Sequence, residues 1–285
     1  MPSALYPIGV FDSGYGGLSM LRELRRALPD ADFIYLGDAG RAPYGGRDVE
    51  TILDLAEQCV ELLFAEGCRV VIVACHTVSC VALRHLQKRH GGERRVLGVT
   101  IPAAEAAVGQ TRGRIGFLGT ARTVASHTFR TEVRKLAPAA EVVEVAAPLL
   151  APIVEEGWED TDIARLAAAR YVAALGEVET IVLGCTHYPL LASAFADAVP
   201  PGVAVLNPAP FVAARFVDWL ARHPDFTAAG TGRLRVLCSG DGVRFATHAG
   251  RFLGEKPPPI EHVAEVGGRL AFCPEGHEPP GQIVR

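Results

Sequence analysis

One stretch decides the fold of this 285-residue chain: Arg69-Val70-Val71-Ile72-Val73-Ala74-Cys75-His76-Thr77-Val78-Ser79. Its run of apolar and mostly β-branched residues predicts a short strand buried on both faces, as in the parallel sheets of α/β proteins. The strand ends in a thiol, an imidazole and a hydroxyl. Because open α/β sheets bind their ligands at the carboxyl ends of the strands, this end is a candidate active site.

The same pattern returns later in the chain. Thr180-Ile181-Val182-Leu183-Gly184-Cys185-Thr186-His187-Tyr188-Pro189 is again an apolar run that ends in cysteine, followed here by threonine and histidine. A second pair of similar segments, Ile8 to Gly14 and Ile115 to Ala121, has nearly the same spacing, which suggests a duplicated unit. We therefore predict an α/β fold of two pseudo-symmetric open lobes with mainly parallel sheets. The active site would lie in the cleft between the lobes, with one thiol on each side.

The expected elements also suggest where the lobes begin and end. Lobe A is predicted to comprise residues 1–97 and 211–266, and lobe B residues 98–210. Residues 267–285 are rich in Gly and Pro without periodicity, so a poorly ordered tail is expected there. The candidate site residues divide between the lobes, with Asp12, Tyr44 and Cys75 in lobe A and Thr120, Cys185 and His187 in lobe B.

Composition argues against several classes of partner. The net charge of −4 and the pI of about 6.1 do not form the basic footprint of a nucleic-acid-binding protein, so a small molecule is the expected partner. No apolar stretch approaches the ~18 residues that a membrane span needs. Met1 to Tyr6 lacks the basic and apolar regions of a secretory signal, so we expect a cytoplasmic protein.

The cysteine and lysine counts bear on the chemistry. The seven cysteines are an odd number without regular spacing, so reduced thiols are expected, and Cys273 with His277 is too small a set for a zinc site. The chain has only three lysines, Lys88, Lys135 and Lys256, none in a segment typical of a pocket. Pyridoxal-phosphate enzymes bind their cofactor through such a lysine, so that cofactor is not expected.

Two glycine-rich loops are candidate anion sites. The turn from Asp12 to Gly17 joins a predicted strand to a predicted helix, but Ser19 stands where the third glycine of a dinucleotide fingerprint would fall. A dinucleotide would need Asp38 as its ribose-binding acid, whereas a carboxylate could bind the free N–H groups of the same turn. The loop from Gly37 to Arg47 is either an ordinary surface turn or a segment whose amides hold an anionic group.

Four motifs occur in order along the chain, with Val154-Glu155-Glu156-Gly157 between the third and the fourth. They are Asp12-Ser13-Gly14, Pro43-Tyr44-Gly45, Cys75-x-Thr77 and Cys185-Thr186-His187-Tyr188-Pro189. Over roughly Ile8 to Val263, this arrangement resembles the glutamate racemase family of the aspartate/glutamate racemase superfamily. The resemblance implies two facing α/β lobes, interconversion of L- and D-glutamate without cofactor or metal, and a homodimer. It also implies supply of D-glutamate for peptidoglycan, and hence for cell-wall biogenesis and cell shape.

The resemblance assigns roles to individual residues. Cys75 and Cys185 would be the two acid/base groups on opposite faces of the α-carbon, with Asp12 assisting the first and His187 the second. An α-hydrogen is a very weak acid, so racemisation needs a strong base on one face and a proton donor on the other, and thiols suit both tasks. The implied substrate-binding residues are Ser13, Pro43, Tyr44, Gly45, His76, Thr77, Thr120, Thr123, Glu155 and Thr186.

His76 departs from the family pattern, which usually has Asn after the first cysteine. An amide stays neutral, whereas an imidazole is larger and can become cationic. His76 could therefore hold the substrate carboxylate more strongly, lower the pKa of Cys75, narrow the pocket or indicate another substrate. Two alternatives stay open from the sequence: a racemase of aspartate or another amino acid, and a non-catalytic or dinucleotide-binding α/β protein.

Overall fold

The computed structural model describes residues 6–111, 113–226 and 230–272 of the chain. Its strands form one seven-stranded and one four-stranded sheet. The strands are β1 (Ile8–Asp12), β2 (Phe33–Gly37), β3 (Val70–Val73), β4 (Arg95–Gly98), β5 (Arg114–Gly119), β6 (Glu141–Ala146), β7 (Thr180–Gly184), β8 (Ala204–Leu206), β9 (Leu234–Ser239), β10 (Ile260–Val266) and β11 (Arg269–Phe272).

The helices lie between these strands in the order expected of an α/β fold. They are α1 (Leu18–Ala27), α2 (Val49–Ala65), α3 (His76–Val81), α4 (Leu83–Arg89), α5 (Thr100–Gln110), α6 (Ala121–Ala125), α7 (Thr128–Leu136), α8 (Leu150–Glu155), α9 (Asp162–Leu175), α10 (Ala192–Ala198), α11 (Ala209–Arg222) and α12 (Gly242–Leu253). Short 3-10 helices occur at Ala39–Arg41, Tyr188–Leu191 and Pro224–Phe226. None of the helices described is long and apolar enough to cross a membrane.

Both sheets are mainly parallel, as predicted. Sheet A has the order β11-β10-β9-β2-β1-β3-β4, in which only β10 and β11 are antiparallel. Sheet B has the order β6-β5-β7-β8 and is parallel throughout. Val10 and Phe11 belong to two different apolar cores, because successive side chains of a strand point to opposite faces. Sheet A is therefore covered on both faces, and the predicted fold class is confirmed.

The strand order also shows the duplication that the sequence suggests. The arrangement β2-β1-β3-β4 in sheet A is repeated as β6-β5-β7-β8 in sheet B, so that β1 corresponds to β5 and β3 to β7. Cys75 follows β3 and Cys185 follows β7. The two thiols therefore occupy equivalent ends of equivalent strands. Sheet B lies within residues 114–206, and we use lobe A and lobe B for the two sheets with their helices.

The predicted tail, residues 267–285, includes residues that form a strand in the structure. Arg269–Phe272 forms β11 and pairs with β10, and Leu270 is buried. Gly267 and Gly268 make the two-residue turn between them with φ values of 60° and 77°, a conformation that favours glycine in tight hairpins. The expectation is therefore wrong for residues 269–272. The rest of the predicted tail, residues 273–285, lies outside the described residues.

Two short helices, rather than one long helix, follow Cys75, and the same is true after Gly119. α3 and α4 meet at Ala82, and α6 and α7 are separated around His127. His127 has a φ of 52°, which a right-handed helix cannot continue through. The short segments α3 and α6 pack against each other. These first turns therefore form part of the contact between the lobes.

Candidate active site

The glycine-rich turn after β1 brings lobe A against the loop after β7. The hydroxyl of Ser19 lies within donor distance of the carbonyl oxygens of Gly16 (2.8 Å) and Thr186 (3.1 Å). A Cβ on Gly16 would lie 2.4 Å from Thr186 Oγ1 and 2.6 Å from His187 Nδ1, closer than real Cβ contacts. Glycine is thus required at position 16 by the close approach of the two lobes.

Cys75 lies on the lobe A side of the cleft. It immediately precedes α3, it is buried, and its Sγ lies 3.5 Å from the hydroxyl oxygen of Ser13. Burial and, next, the charge of Asp12 raise the pKa of Cys75 to about 12, although the Ser13 hydroxyl and the N–H of Val78 act in the opposite direction. Cys75 is therefore a protonated thiol in the free protein at neutral pH. That state suits a proton donor.

Cys185 has a different set of partners on the lobe B side. Its Sγ lies 3.7 Å from His187 Nδ1, and His187 Nε2 lies 3.0 Å from Glu155 Oε1. Burial lowers the pKa of His187, but its contacts with Cys185 and Glu155 outweigh burial and raise that pKa to about 10. Burial likewise raises the pKa of Glu155, but the contact with His187 outweighs it, so the pKa is lowered overall. His187 is therefore an imidazolium, and it lies beside the sulfur of Cys185.

Asp12 lies beneath the contact between the two loops. It is buried, it accepts a hydrogen bond from the N–H of Gly14 (3.0 Å), and its Oδ2 accepts one from the Thr186 hydroxyl (3.4 Å). Burial raises the pKa of Asp12, against the charge of His187 and the backbone hydrogen bonds. Among the described residues, the hydroxyl that contacts the Cys75 sulfur is that of Ser13, and Asp12 acts on Cys75 through its charge. The hydrogen bond from Thr186 to Asp12 links the two lobes.

Three threonine hydroxyls from both lobes meet at the starts of α3 and α6. Thr77 Oγ1 lies 3.0 Å from Thr120 Oγ1 and 3.2 Å from Thr123 Oγ1, and the last two lie 2.8 Å apart. Thr120 also caps α6 by accepting the N–H of Thr123. The sequence analysis names all three as substrate-binding residues, and the structure brings them together.

The Pro43-Tyr44-Gly45 segment reaches the same region by its backbone. The carbonyl of Gly45 accepts the N–H of Arg122 (3.0 Å), and Arg122 Nε donates to the carbonyl of Arg47 (2.7 Å). The Tyr44 ring turns into lobe A, where its hydroxyl donates to Asp38. The Tyr44 side chain is therefore placed as a support for the loop, while the backbone near Gly45 faces the start of α6.

Asp38 lacks the exposure that a ribose-binding acid needs. It is fully buried and accepts hydrogen bonds from Arg41 Nε (2.9 Å), Ser239 Oγ (2.5 Å) and the Tyr44 hydroxyl. This set of donors satisfies the carboxylate inside lobe A. The structure therefore gives no support to the dinucleotide-binding alternative. Within the described ranges, no group of three or more His, Cys, Asp and Glu side chains is arranged to hold a metal ion.

His76 is buried between Cys75 and Thr77, and neither ring nitrogen has a hydrogen-bond partner among the residues that the structure describes. Burial lowers its pKa to about 4, so the imidazole is neutral at physiological pH. The hypothesis that a cationic His76 lowers the pKa of Cys75 is therefore wrong, because the pKa of Cys75 is raised instead. A neutral imidazole keeps one donor and one acceptor, and buried polar atoms in proteins usually have partners. Its two nitrogens are thus both buried and without a hydrogen-bond partner among the described residues.

Aromatic side chains that no sequence motif indicates surround His187. The rings of Tyr15 and Phe252 have centroids 5.9 Å and 5.3 Å from that of His187, and His248 stacks on Tyr15 at 4.9 Å. His248 and Phe252 lie on α12, for which the sequence offers two helix signals. Asp241 caps its first turn, and Gly254, with a φ of 79°, ends it.

Comparison with known proteins gives consistent results. The family model for Asp/Glu/hydantoin racemase matches residues 8–215. Glutamate racemase from Chlorobaculum tepidum is 40% identical over 261 residues, covering 90% of this chain and 96% of that protein. The glutamate racemase from Chlorobaculum parvum is 36% identical over 265 residues, covering 92% and 97%. The crystal structure of Francisella tularensis glutamate racemase in complex with D-glutamate is 27% identical with a TM-score of 0.84, covering 91% of this chain and 97% of that chain.

Proposed function

We propose that this chain, which belongs to the Asp/Glu/hydantoin racemase family, interconverts L- and D-glutamate by proton transfer at Cys75 and Cys185. It is an amino-acid racemase and therefore an isomerase, and the resemblance inferred from its motifs is confirmed. One observation carries the proposed mechanism. Two buried thiols occupy equivalent strand ends of facing lobes, each with its own polar partners.

The two thiols have different partners, Ser13 for Cys75 and His187 for Cys185, and this difference fits one direction of proton transfer. The thiolate of Cys185, paired with the imidazolium of His187, removes the α-hydrogen from the face of the substrate that it meets. The electron pair of the broken C–H bond remains on the substrate as a carbanion, and Cys75 donates its proton to the opposite face. After one turnover Cys185 is the thiol and Cys75 the thiolate, so the reverse reaction uses the same groups with their roles exchanged.

The substrate is bound by neutral hydrogen-bond donors and by backbone groups. The hydroxyls of Thr77, Thr120 and Thr123 and the Gly45 segment lie at the contact of both lobes, where they suit a carboxylate. Neutral His76 offers one N–H donor to a carboxylate and one acceptor to an ammonium group. No pyridoxal phosphate or metal is needed for this proposal, since the carbanion is formed between two acid/base groups in a desolvated cleft.

The wider role rests on family membership. We propose that the chain supplies D-glutamate for peptidoglycan synthesis, acts in the cytoplasm and forms a homodimer. The name glutamate racemase, shared by the relatives above, and the D-glutamate complex of the Francisella tularensis protein support glutamate over aspartate as the substrate.

A substrate panel tests this proposal. Optical activity is followed by circular dichroism for the L and D enantiomers of glutamate and aspartate, with no added cofactor and with a chelator present. We expect both glutamate solutions to converge on zero signal while the aspartate solutions change far more slowly. Fast turnover of aspartate without turnover of glutamate would support the aspartate racemase alternative instead.

A further inference from the structure

Arg251 on α12 of lobe A reaches across to the end of α8 in lobe B. Its Nη2 donates to the carbonyl oxygen of Val154 (3.0 Å) and also contacts the carboxylate of Glu159. Its Nη1 lies 3.4 Å from His248 Nδ1. The guanidinium therefore bridges three groups from one position through its rigid planar fork of donors.

The end of α8 receives this contact in addition to its own backbone cap. The helix has only six residues, and isolated helices of this length are not stable in water. The N–H groups of Gly157 and Trp158 donate to the carbonyl oxygens of Val154 (3.1 Å) and Ile153 (2.9 Å), and Arg251 adds a side-chain donor to the same Val154 oxygen. Val154, whose carbonyl Arg251 holds, directly precedes Glu155. The position of Glu155 is therefore coupled to that of Arg251.

We infer that Arg251 is a positioning residue that caps α8 from the opposite lobe and holds Glu155 against His187. Glu155 Oε1 lies 3.0 Å from His187 Nε2, and His187 Nδ1 lies 3.7 Å from the sulfur of Cys185. A displaced Glu155 would leave the imidazolium without its counter-ion. Lobe A would thus support the reactivity of the lobe B thiol, and the catalytic part of this inference rests on the proposed function.

Other charged and titratable groups face the same pair and must be kept intact in the test. Removal of Arg251 leaves these groups in place, so the charge around His187 is only partly changed. The groups are Arg244 and His248 from α12, Glu156 from the end of α8, Asp12 and Tyr15 from the glycine-rich turn, and Cys185 itself. The contribution specific to Arg251 is the hydrogen bond to the α8 carbonyl.

The test measures thiol reactivity without substrate. Wild type, Arg251→Lys and Arg251→Met are treated with iodoacetamide at neutral pH, and alkylation of the Cys185 and Cys75 peptides is followed by mass spectrometry in the same sample. We expect Cys185 to react about tenfold more slowly in Arg251→Met, because a displaced Glu155 no longer holds His187 beside the Cys185 sulfur. In Arg251→Lys the alkylation rate of Cys185 should be intermediate, because lysine keeps the positive charge but not the planar fork of donors. The alkylation rate of Cys75 should be unchanged in both variants.

A matched control separates positioning from general loosening of the lobes. Arg215 on α11 also joins the lobes, through an ion pair with Glu105 on α5 (Nε to Oε2, 2.9 Å). Arg215→Met should leave both alkylation rates unchanged. Glu159→Gln removes one anchor of Arg251 and should slow Cys185 in the same direction, which keeps the test available if Arg251→Met does not fold.

Two results would overturn the inference. One is an unchanged Cys185 rate in the Arg251 and Glu159 variants, and the other is an equal change at Cys75 and Cys185. Because alkylation needs neither glutamate nor turnover, these results are independent of the substrate panel that tests the proposed function.

Discussion

Replacement of Gly16 by alanine tests the close approach of the lobes. The added Cβ would lie 2.4 Å from Thr186 Oγ1, whereas ordinary contacts of a Cβ begin at 3.4 Å, so the two loops must separate by about 1 Å. The same Cβ would lie 2.6 Å from Cε1 and Nδ1 of His187. His187 is already 3.7 Å from the Cys185 sulfur, so it cannot move away and still activate that thiol.

The expected loss follows from this displacement. A misplacement of about 1 Å at reacting groups costs about a hundredfold in rate, which corresponds to about 2.7 kcal/mol in activation free energy. We expect kcat for glutamate racemisation, measured by circular dichroism, to fall by about this factor in Gly16→Ala. Gly109→Ala is the control: Gly109 lies on α5, where an added Cβ would have no atom of the described residues within 4 Å, and activity should be unchanged. Wild-type kcat in a folded Gly16→Ala would refute the reasoning.

Two further predictions concern His76 and the pH dependence of the Glu155 pair. His76→Asn keeps a neutral donor and acceptor and should retain glutamate turnover, whereas His76→Leu should raise KM at least tenfold; steady-state kinetics that show equal KM values would contradict a binding role. Burial lowers the pKa of His187, but the contacts of its ring outweigh burial and raise that pKa to about 10. The protonated ring therefore contributes to the free energy of unfolding. This contribution is fully present below about pH 6.5, the usual pKa of histidine, and is lost as the pH rises through 10. Glu155→Gln should therefore lower the free energy of unfolding by about 1–3 kcal/mol at pH 6 in urea titrations, and the difference from wild type should shrink above pH 10; a pH-independent difference would argue against the ion pair.

The duplicated fold could be predicted because its signal is local. The apolar runs before Cys75 and Cys185 are typical of strands buried on both faces, and their nearly equal spacing from the Ile8 and Ile115 segments reveals the repeat. The tail prediction is wrong for residues 269–272 because Gly267 and Gly268 form a hairpin turn and Leu270 has an apolar core to pack against.

The site could be predicted only in part, because contacts between the lobes leave no periodic trace in the sequence. The motifs identify both thiols and Thr77, and the family resemblance that they carry implies Thr120 and Thr123. They do not show that the Tyr44 hydroxyl points to Asp38, or that Arg251 reaches Val154 nearly a hundred residues earlier. The charge state of His76 also depends on its burial in the folded protein, which lowers its pKa to about 4.

Hydrogen exchange at the α-carbon tests the two-thiol mechanism most directly. Wild type, Cys75→Ala and Cys185→Ala are incubated in D2O with L- or D-glutamate and no cofactor, and NMR follows the loss of the α-proton signal. We predict that wild type exchanges and racemises both enantiomers, and that neither variant racemises. Each variant should still exchange one enantiomer, and the two variants should differ in which one. Racemisation that persists in either variant would contradict the account.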